Sequence, residues 1–266
     1  MPSVTQTKMK PKQTKKLSKS GDIFDNLEKL DADSEDFLKV LIYGKSGTGK
    51  TTLAGTFPGP LLWIVCSGGV KSGELKSLKD RKLLAKKDIY PHYVKKSSEI
   101  LEIAEKQQET GRFKTVVVDH VTGMQDKILA EILDIEDIPA QKSWGMASQQ
   151  QYGQCSAQSK EMFKKLLNLD CNVLMLGQER NFHTDEETHV DGINPYVSVA
   201  LTPSLGGWLC PAVDYIIQTL IRPKMVEKRI QLGIGKKQKV RVTMQRDGNK
   251  VEYVCRVAPH DVVTTK

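Results

Sequence analysis

Short apolar runs alternate with longer amphipathic stretches along most of this chain. The runs fall at 38–43, 61–66, 89–94, 114–119, 172–177 and 213–221. Each is short and rich in Val, Ile and Leu, which predicts strands buried on both faces. Between them, 49–57, 97–110, 121–134 and 147–168 space their apolar residues as helices do. Strand and helix in alternation predict an α/β fold. The expected architecture is three layers, with a mostly parallel sheet, helices on both faces and right-handed crossovers. After Pro223 the period changes to two. Val240, Val242 and Met244 alternate with Arg241, Thr243 and Gln245, and Val251, Tyr253, Cys255 and Val257 resume the alternation. Arg246-Asp247-Gly248-Asn249 between them reads as a hairpin turn. An antiparallel hairpin or meander is therefore expected over 225–258. Residues 1–20 carry almost nothing apolar and read as a disordered basic tail. Three regions result: 1–20 as tail, 21–224 as the α/β core, and 225–266 as a C-terminal β region packed on that core.

Composition narrows the class. Hydrophobic residues are 39% and charged residues 27% of 266, as in ordinary soluble proteins. No apolar run approaches the ~20 residues that span a bilayer, and no secretory leader is evident, so no membrane partner is expected. Cys66, Cys155, Cys171, Cys210 and Cys255 are far apart and odd in number. They form neither a C-x-x-C zinc pattern nor a disulfide framework, which fits a reducing cytoplasm. The five histidines show no metal-ligand spacing. The net charge of +8 is uneven: 1–19 carry six lysines and no acid, and 222–256 carry eleven Lys and Arg against three acids. Two basic ends around a mildly acidic centre fit a polyanionic partner.

The chemistry concentrates in Gly44-Lys45-Ser46-Gly47-Thr48-Gly49-Lys50-Thr51, which matches G-x-x-x-x-G-K-[ST]. Glycines at 44, 47 and 49 let backbone N–H groups turn toward a polyphosphate. Lys50 can reach the β and γ phosphates, and the Thr51 hydroxyl can ligate Mg²⁺. The strand before it and the helix opening at Lys50-Thr51-Thr52 supply the required order of strand, loop and helix. Lys114-Thr115-Val116-Val117-Val118-Asp119 is an apolar strand ending in an acid. Asp119 either holds Mg²⁺ beside the phosphate loop or caps the helix beginning near Val121. Asn172-Val173-Leu174-Met175-Leu176-Gly177-Gln178 ends in an amide. Ligands of open α/β sheets bind beyond the carboxyl ends of strands, so Gln178 either senses the γ-phosphate or faces water.

Strand–GKSGTGKTT–helix, VVVDH, VLMLGQER and LTPSLGGWLCPAVDYIIQ together give residues 38–258 a resemblance to phage RecA-like P-loop nucleotide-binding proteins. These are AAA-type or RecA-like ATPases that include the single-strand annealing proteins of phage recombination systems. The resemblance implies a RecA-type core that binds ATP and Mg²⁺, with Lys50, Asp119 and Gln178 as the catalytic set. It implies Mg²⁺-dependent triphosphate hydrolysis and work on single-stranded DNA in recombination or replication. It also implies a homo-oligomer in a bacterial or phage-infected cytoplasm, with a single-strand DNA-binding protein as a candidate partner. Two departures stand out. The family's second strand usually ends in a water-activating acid, whereas Pro60 to Gly69 contains none. Glu74 is the nearest, so slow turnover is expected. Lys45 in the second loop position resembles the signature lysine of the ParA/MinD-type switch ATPases, which gives the alternative reading of a partition or assembly switch. Their companion segments are missing, and Lys45 reads as a solvent-facing or phosphate-side lysine.

DNA contacts are expected in two places. Residues 139–155 contain Lys142, Trp144, three consecutive glutamines and Tyr152. Trp144 either stacks on a base or anchors the following helix. The C-terminal hairpin carries Lys236, Lys237, Lys239 and Arg241, with Lys239 and Arg241 on one strand face. The loop over 181–207 carries several acids and is not a DNA candidate.

Overall fold

The computed structural model describes residues 36–66, 75–80, 88–135, 147–182, 196–232, 239–258 and 263–266. In chain order these form β1 (Lys39–Gly44), α1 (Lys50–Ala54), β2 (Leu61–Val65), α2 (Lys76–Asp80), β3 (Ile89–Tyr93), α3 (Ser98–Thr110), β4 (Thr115–Asp119) and α4 (Val121–Ile132). They continue with α5 (Gln149–Leu167), β5 (Asn172–Phe182), β6 (Tyr196–Val199), α6 (Pro203–Ala212), β7 (Tyr215–Leu232) and β8 (Lys239–Arg256). The sheet order is β3-β2-β4-β5-β1-β7-β8, and β6 pairs with the far end of β5. Pairing is parallel from β3 through to β7, and antiparallel for β7–β8 and β5–β6.

Period-two alternation divides the central strands between two cores. Leu41 and Tyr43, Leu62 and Ile64, Val116 and Val118, and Val173 and Met175 pack with α3, α4, α5 and α6 on one face. Val40 and Ile42, Leu61, Trp63 and Val65, Val117, and Leu174 and Leu176 pack with Ala54 of α1 and Leu78 of α2 on the other. Burying each such side chain contributes about 1.5–3 kcal/mol, which is why continuous apolar runs appear where both faces are covered. This is the expected three-layer α/β fold with a mostly parallel sheet and a C-terminal antiparallel pair.

The differences have local causes. Gly55 caps α1, and Pro58 follows soon after, so α1 is shorter than the expected 49–57. Gln149, Gln150 and Gln151 lie in the first turn of α5, not in a loop. Gln151 closes a capping box with Ser148, its amide oxygen accepting the Ser148 N–H at 2.7 Å. The elements α2, β6 and α6 had no counterpart in the pattern. The boundary expected at 224/225 falls inside β7, so the C-terminal region grows out of a core strand. The hairpin turn expected at 246–249 is instead an irregularity within β8. Pro223 pairs with Val251 and Met225 with Arg246, so Lys224 alone faces residues 247–250. Residues 233–238, between β7 and β8, lie outside the described residues.

Candidate functional site

The carboxyl ends of β1, β4 and β8 and inner positions of β5 and β7 meet at one cavity of about 870 Å³. Its wall includes 46–53 of the loop and α1, with Asp119, His120, Gln178, Thr219, Ser77 and Asp80. Tyr253, Val254 and Cys255 of β8 complete it.

The loop is shaped by its glycines. Gly47 and Gly49 have φ of 80° and 97°, a region other residues avoid, and Gly49 turns the chain into α1. Gly44 ends β1 against β7, where an added Cβ would fall onto the carbonyl and hydroxyl oxygens of Thr219. Thr48 is buried, and its hydroxyl meets Thr219 Oγ1 at 2.7 Å and donates to the Lys45 carbonyl at 2.7 Å. Thr48 thereby ties the loop to β7. Lys50 Nζ donates to the carbonyls of Gly44 at 2.8 Å and Lys45 at 2.9 Å. Burial pushes its pKa down, while Asp119 and Glu179 pull it up.

Asp119 follows Val118 in alternation and so faces the α1 side, opposite Lys50. Its carboxyl is 9% exposed and accepts the Trp63 indole N–H at 3.2 Å. Burial raises its pKa, and bonds from Trp63 and Thr51 and the charge of Lys50 oppose that rise. Asp119 does not cap α4. His120 does, its Nδ1 accepting the Gly123 N–H at 2.9 Å, which leaves the Asp119 carboxyl to the cavity. Burial, and then the charge of Lys50, lower the His120 pKa. Thr51 and Asp119 line the same cavity. Two hard oxygen donors with room for water and phosphate fit Mg²⁺, which binds through one or two protein oxygens plus substrate phosphates.

Gln178 sits in register with Gly44, exposed at the cavity rim. Ser46 and Thr52 also line the cavity, while Lys45 is exposed and offers the cavity's lysine its carbonyl. Beyond the cavity, Gln218 donates to Glu179 at 2.9 Å and accepts from Arg256 at 3.0 Å, linking β5, β7 and β8 across β1.

A glycine loop between a buried strand and a helix, facing an acid-ended strand, defines a P-loop nucleotide-binding protein. A family model described as an AAA domain matches residues 36–266, and the chain belongs to that family of P-loop AAA-type ATPase domains. Compared with curated proteins, it has no significant match. No helix among the described residues is long and apolar enough to cross a membrane.

The structure thus brings Lys50, Thr51, Asp119 and Gln178 together. Lys142, Trp144, Lys236, Lys237 and Glu74 lie outside the described residues. Lys239 and Arg241 fall in β8, in register with Leu232 and Ile230. Cys66, where an acid was looked for, is buried just beyond β2 with its N–H on the Asp119 carbonyl.

The cavity residues and supports that sequence reasoning missed include Trp63, Asp80, His120, Thr219 and Tyr253. Two had signals. A Trp inside a buried strand needs a partner for its N–H, and Gln218-Thr219 interrupts an otherwise apolar run. Asp80 and Tyr253 had none, because their approach depends on the sheet order.

Proposed function

We propose that this protein binds ATP with Mg²⁺, hydrolyses it slowly, and acts on single-stranded DNA in recombination or replication. The observation that carries the nucleotide part is the convergence of Lys50, Thr51 and Asp119 with the glycine loop on one cavity. Strand order orients the ligand. Asp119 on β4, Gln178 on β5, the loop after β1, Thr219 on β7 and Tyr253 on β8 lie in that lateral sequence. Neighbouring strands are about 4.8 Å apart, so the row spans ~19 Å. The terminal phosphate points toward Asp119 and Gln178, and the nucleoside toward Tyr253. When bound, Mg²⁺ would be held by Thr51 and Asp119 and would offset phosphate charge. Lys50 neutralises the β and γ oxygens.

The wall's composition supports slow hydrolysis. Among the described residues Asp80 is the cavity's second carboxylate, on α2 above β2, and no acid ends β2 itself. Turnover above ~10 s⁻¹, the median for enzymes, would overturn this part and make Asp80→Asn the first replacement to examine.

The DNA part rests on the β7–β8 arm. Arg222, Lys224, Lys228, Arg246 and Lys250 are set along two strands whose outer residues are exposed, and Lys239 and Arg241 extend the row toward 233–238. Homo-oligomerisation on the strand belongs to the same reading. The test is binding of a poly-dT oligonucleotide across a salt series, with and without ATP and Mg²⁺. Affinity that falls steeply with salt and responds to ATP supports it, and no measurable binding at low salt overturns it.

A further inference from the structure

We propose that His120 is a catalytic hydrogen-bond donor to the terminal phosphate of the bound triphosphate, held as the Nε2–H tautomer by α4. This rests on the nucleotide reading above. The tautomer follows from geometry. A backbone N–H can only donate, so the 2.9 Å bond from Gly123 requires a lone pair on Nδ1. The proton of the neutral ring is then on Nε2. The same bond fixes the ring orientation, because it is the N-cap of a 12-residue helix. Among the described residues Nε2 has no hydrogen-bond partner, while the residue lines the cavity next to Asp119 and within the field of Lys50. A fixed donor on the γ-phosphate side, with no described residue to receive its proton, is what a developing phosphoryl charge requires.

The role assigned is that of a donor, not a base. To take a proton at Nδ1 the ring would have to release the helix, and Nε2 already carries one. In the step, a water oxygen bonds the γ phosphorus and the bond to the β,γ-bridging oxygen breaks. ADP leaves with that electron pair, and both water protons stay on the product dihydrogen phosphate. His120 keeps its own proton throughout and stabilises charge on a non-bridging oxygen.

The test uses the full chain and substitutions that separate the cap from the donor. Asn and Ser are good N-caps, so His120→Asn and His120→Ser retain an acceptor for Gly123 and lose the distal N–H. His120→Gln places an amide N–H near the Nε2 position. Binding of ADP that depends on Lys50 is measured first, and its absence refutes the nucleotide reading itself. With that in place, both cap-preserving variants should keep ADP affinity and melting temperature. Each should lose at least tenfold in affinity for ADP with aluminium fluoride and Mg²⁺. Their kcat should fall about 10²–10³-fold with KM little changed, the effect of removing one preorganised donor. His120→Gln should recover part of the aluminium fluoride affinity. If either cap-preserving variant binds the fluoride complex and turns over like wild type, or loses ADP affinity in parallel, the donor role is wrong. A variant that melts early is replaced by the other, whose result decides.

Discussion

The two halves of β7 obey different rules. From Tyr215 to Thr219 the strand pairs with β1, Gln218 and Thr219 pair with β8 as well, and Ile216, Gln218 and Thr219 are buried. From Ile221 onward it has β8 on one side only, and residues 221–228 are all exposed. The inner half is held by the core and in turn holds the phosphate loop, through the Thr219 contact with Thr48 and the close approach of Gly44. The outer half has no core to serve. An isolated two-stranded ribbon is marginal in water. Here it is braced by cross-strand pairs such as Arg222 with Glu252 and by its continuity with the sheet. Residues 221–228 line neither the cavity nor the core. On the function proposed above, the inner half serves nucleotide chemistry and the outer half recognition, and β8 carries residues of both.

The division is most severely tested at the loop. Lys50→Ala removes charge-assisted bonds to phosphate, each worth about 1.5–3 kcal/mol. ATP affinity, measured by titration with a fluorescent analogue, should fall by about 100-fold or more. The melting temperature should change little, because Lys50 contacts only loop carbonyls. Binding of an oligonucleotide in the absence of ATP should be unaffected. Equal ATP affinity in variant and wild type would remove the nucleotide assignment.

The second test falls on the arm alone. Each cation that neutralises a phosphate contributes about 0.7 to the slope of log affinity against log salt for single strands. Replacing Lys236, Lys237, Lys239 and Arg241 with Ser should therefore make that slope shallower by about 2.8. The weakening should be the same for every DNA sequence, with ATP affinity unchanged. An unchanged slope would move the DNA site away from the arm, to the region of Lys142 and Trp144 or to the basic N-terminal tail.

The inner half was readable because its constraint is local and repeated. Val40-Leu41-Ile42-Tyr43 and Val116-Val117-Val118 are apolar at every position because both faces are covered, and the octapeptide carries its own turn chemistry. The arm was readable as β structure but not as one continuous ribbon. Pro223 looks like a breaker, yet it sits where β7 has become an edge strand, and an edge tolerates a missing N–H. Arg246-Asp247-Gly248-Asn249 has turn composition, and composition alone does not distinguish a chain reversal from an irregularity inside a strand. The site was half readable. Lys50, Thr51, Asp119 and Gln178 each end or follow a recognisable element. His120 and Tyr253 reach the cavity through a cap and the sheet order, which no linear pattern encodes.

The smallest expected effect is at Tyr253, where the two regimes meet. Its strand belongs to the arm, but its ring lines the cavity, and its Cδ1 lies 3.7 Å from the Cβ position of Gly49. At 57% exposure it contributes little to the core, so Tyr253→Ala should leave the melting temperature nearly unchanged. If the nucleoside lies on this side, the ring stacks on the base, an interaction worth about 1–3 kcal/mol. ATP affinity should then fall about tenfold, while affinity for inorganic tripolyphosphate, which has no base, stays the same. Tyr253→Phe keeps the stacking surface and should bind ATP like wild type. A loss shared equally by ATP and tripolyphosphate would mean that Tyr253 shapes the loop instead of meeting the base. A loss of oligonucleotide affinity with ATP affinity intact would assign the ring to the arm and extend the recognition surface to the rim of the cavity.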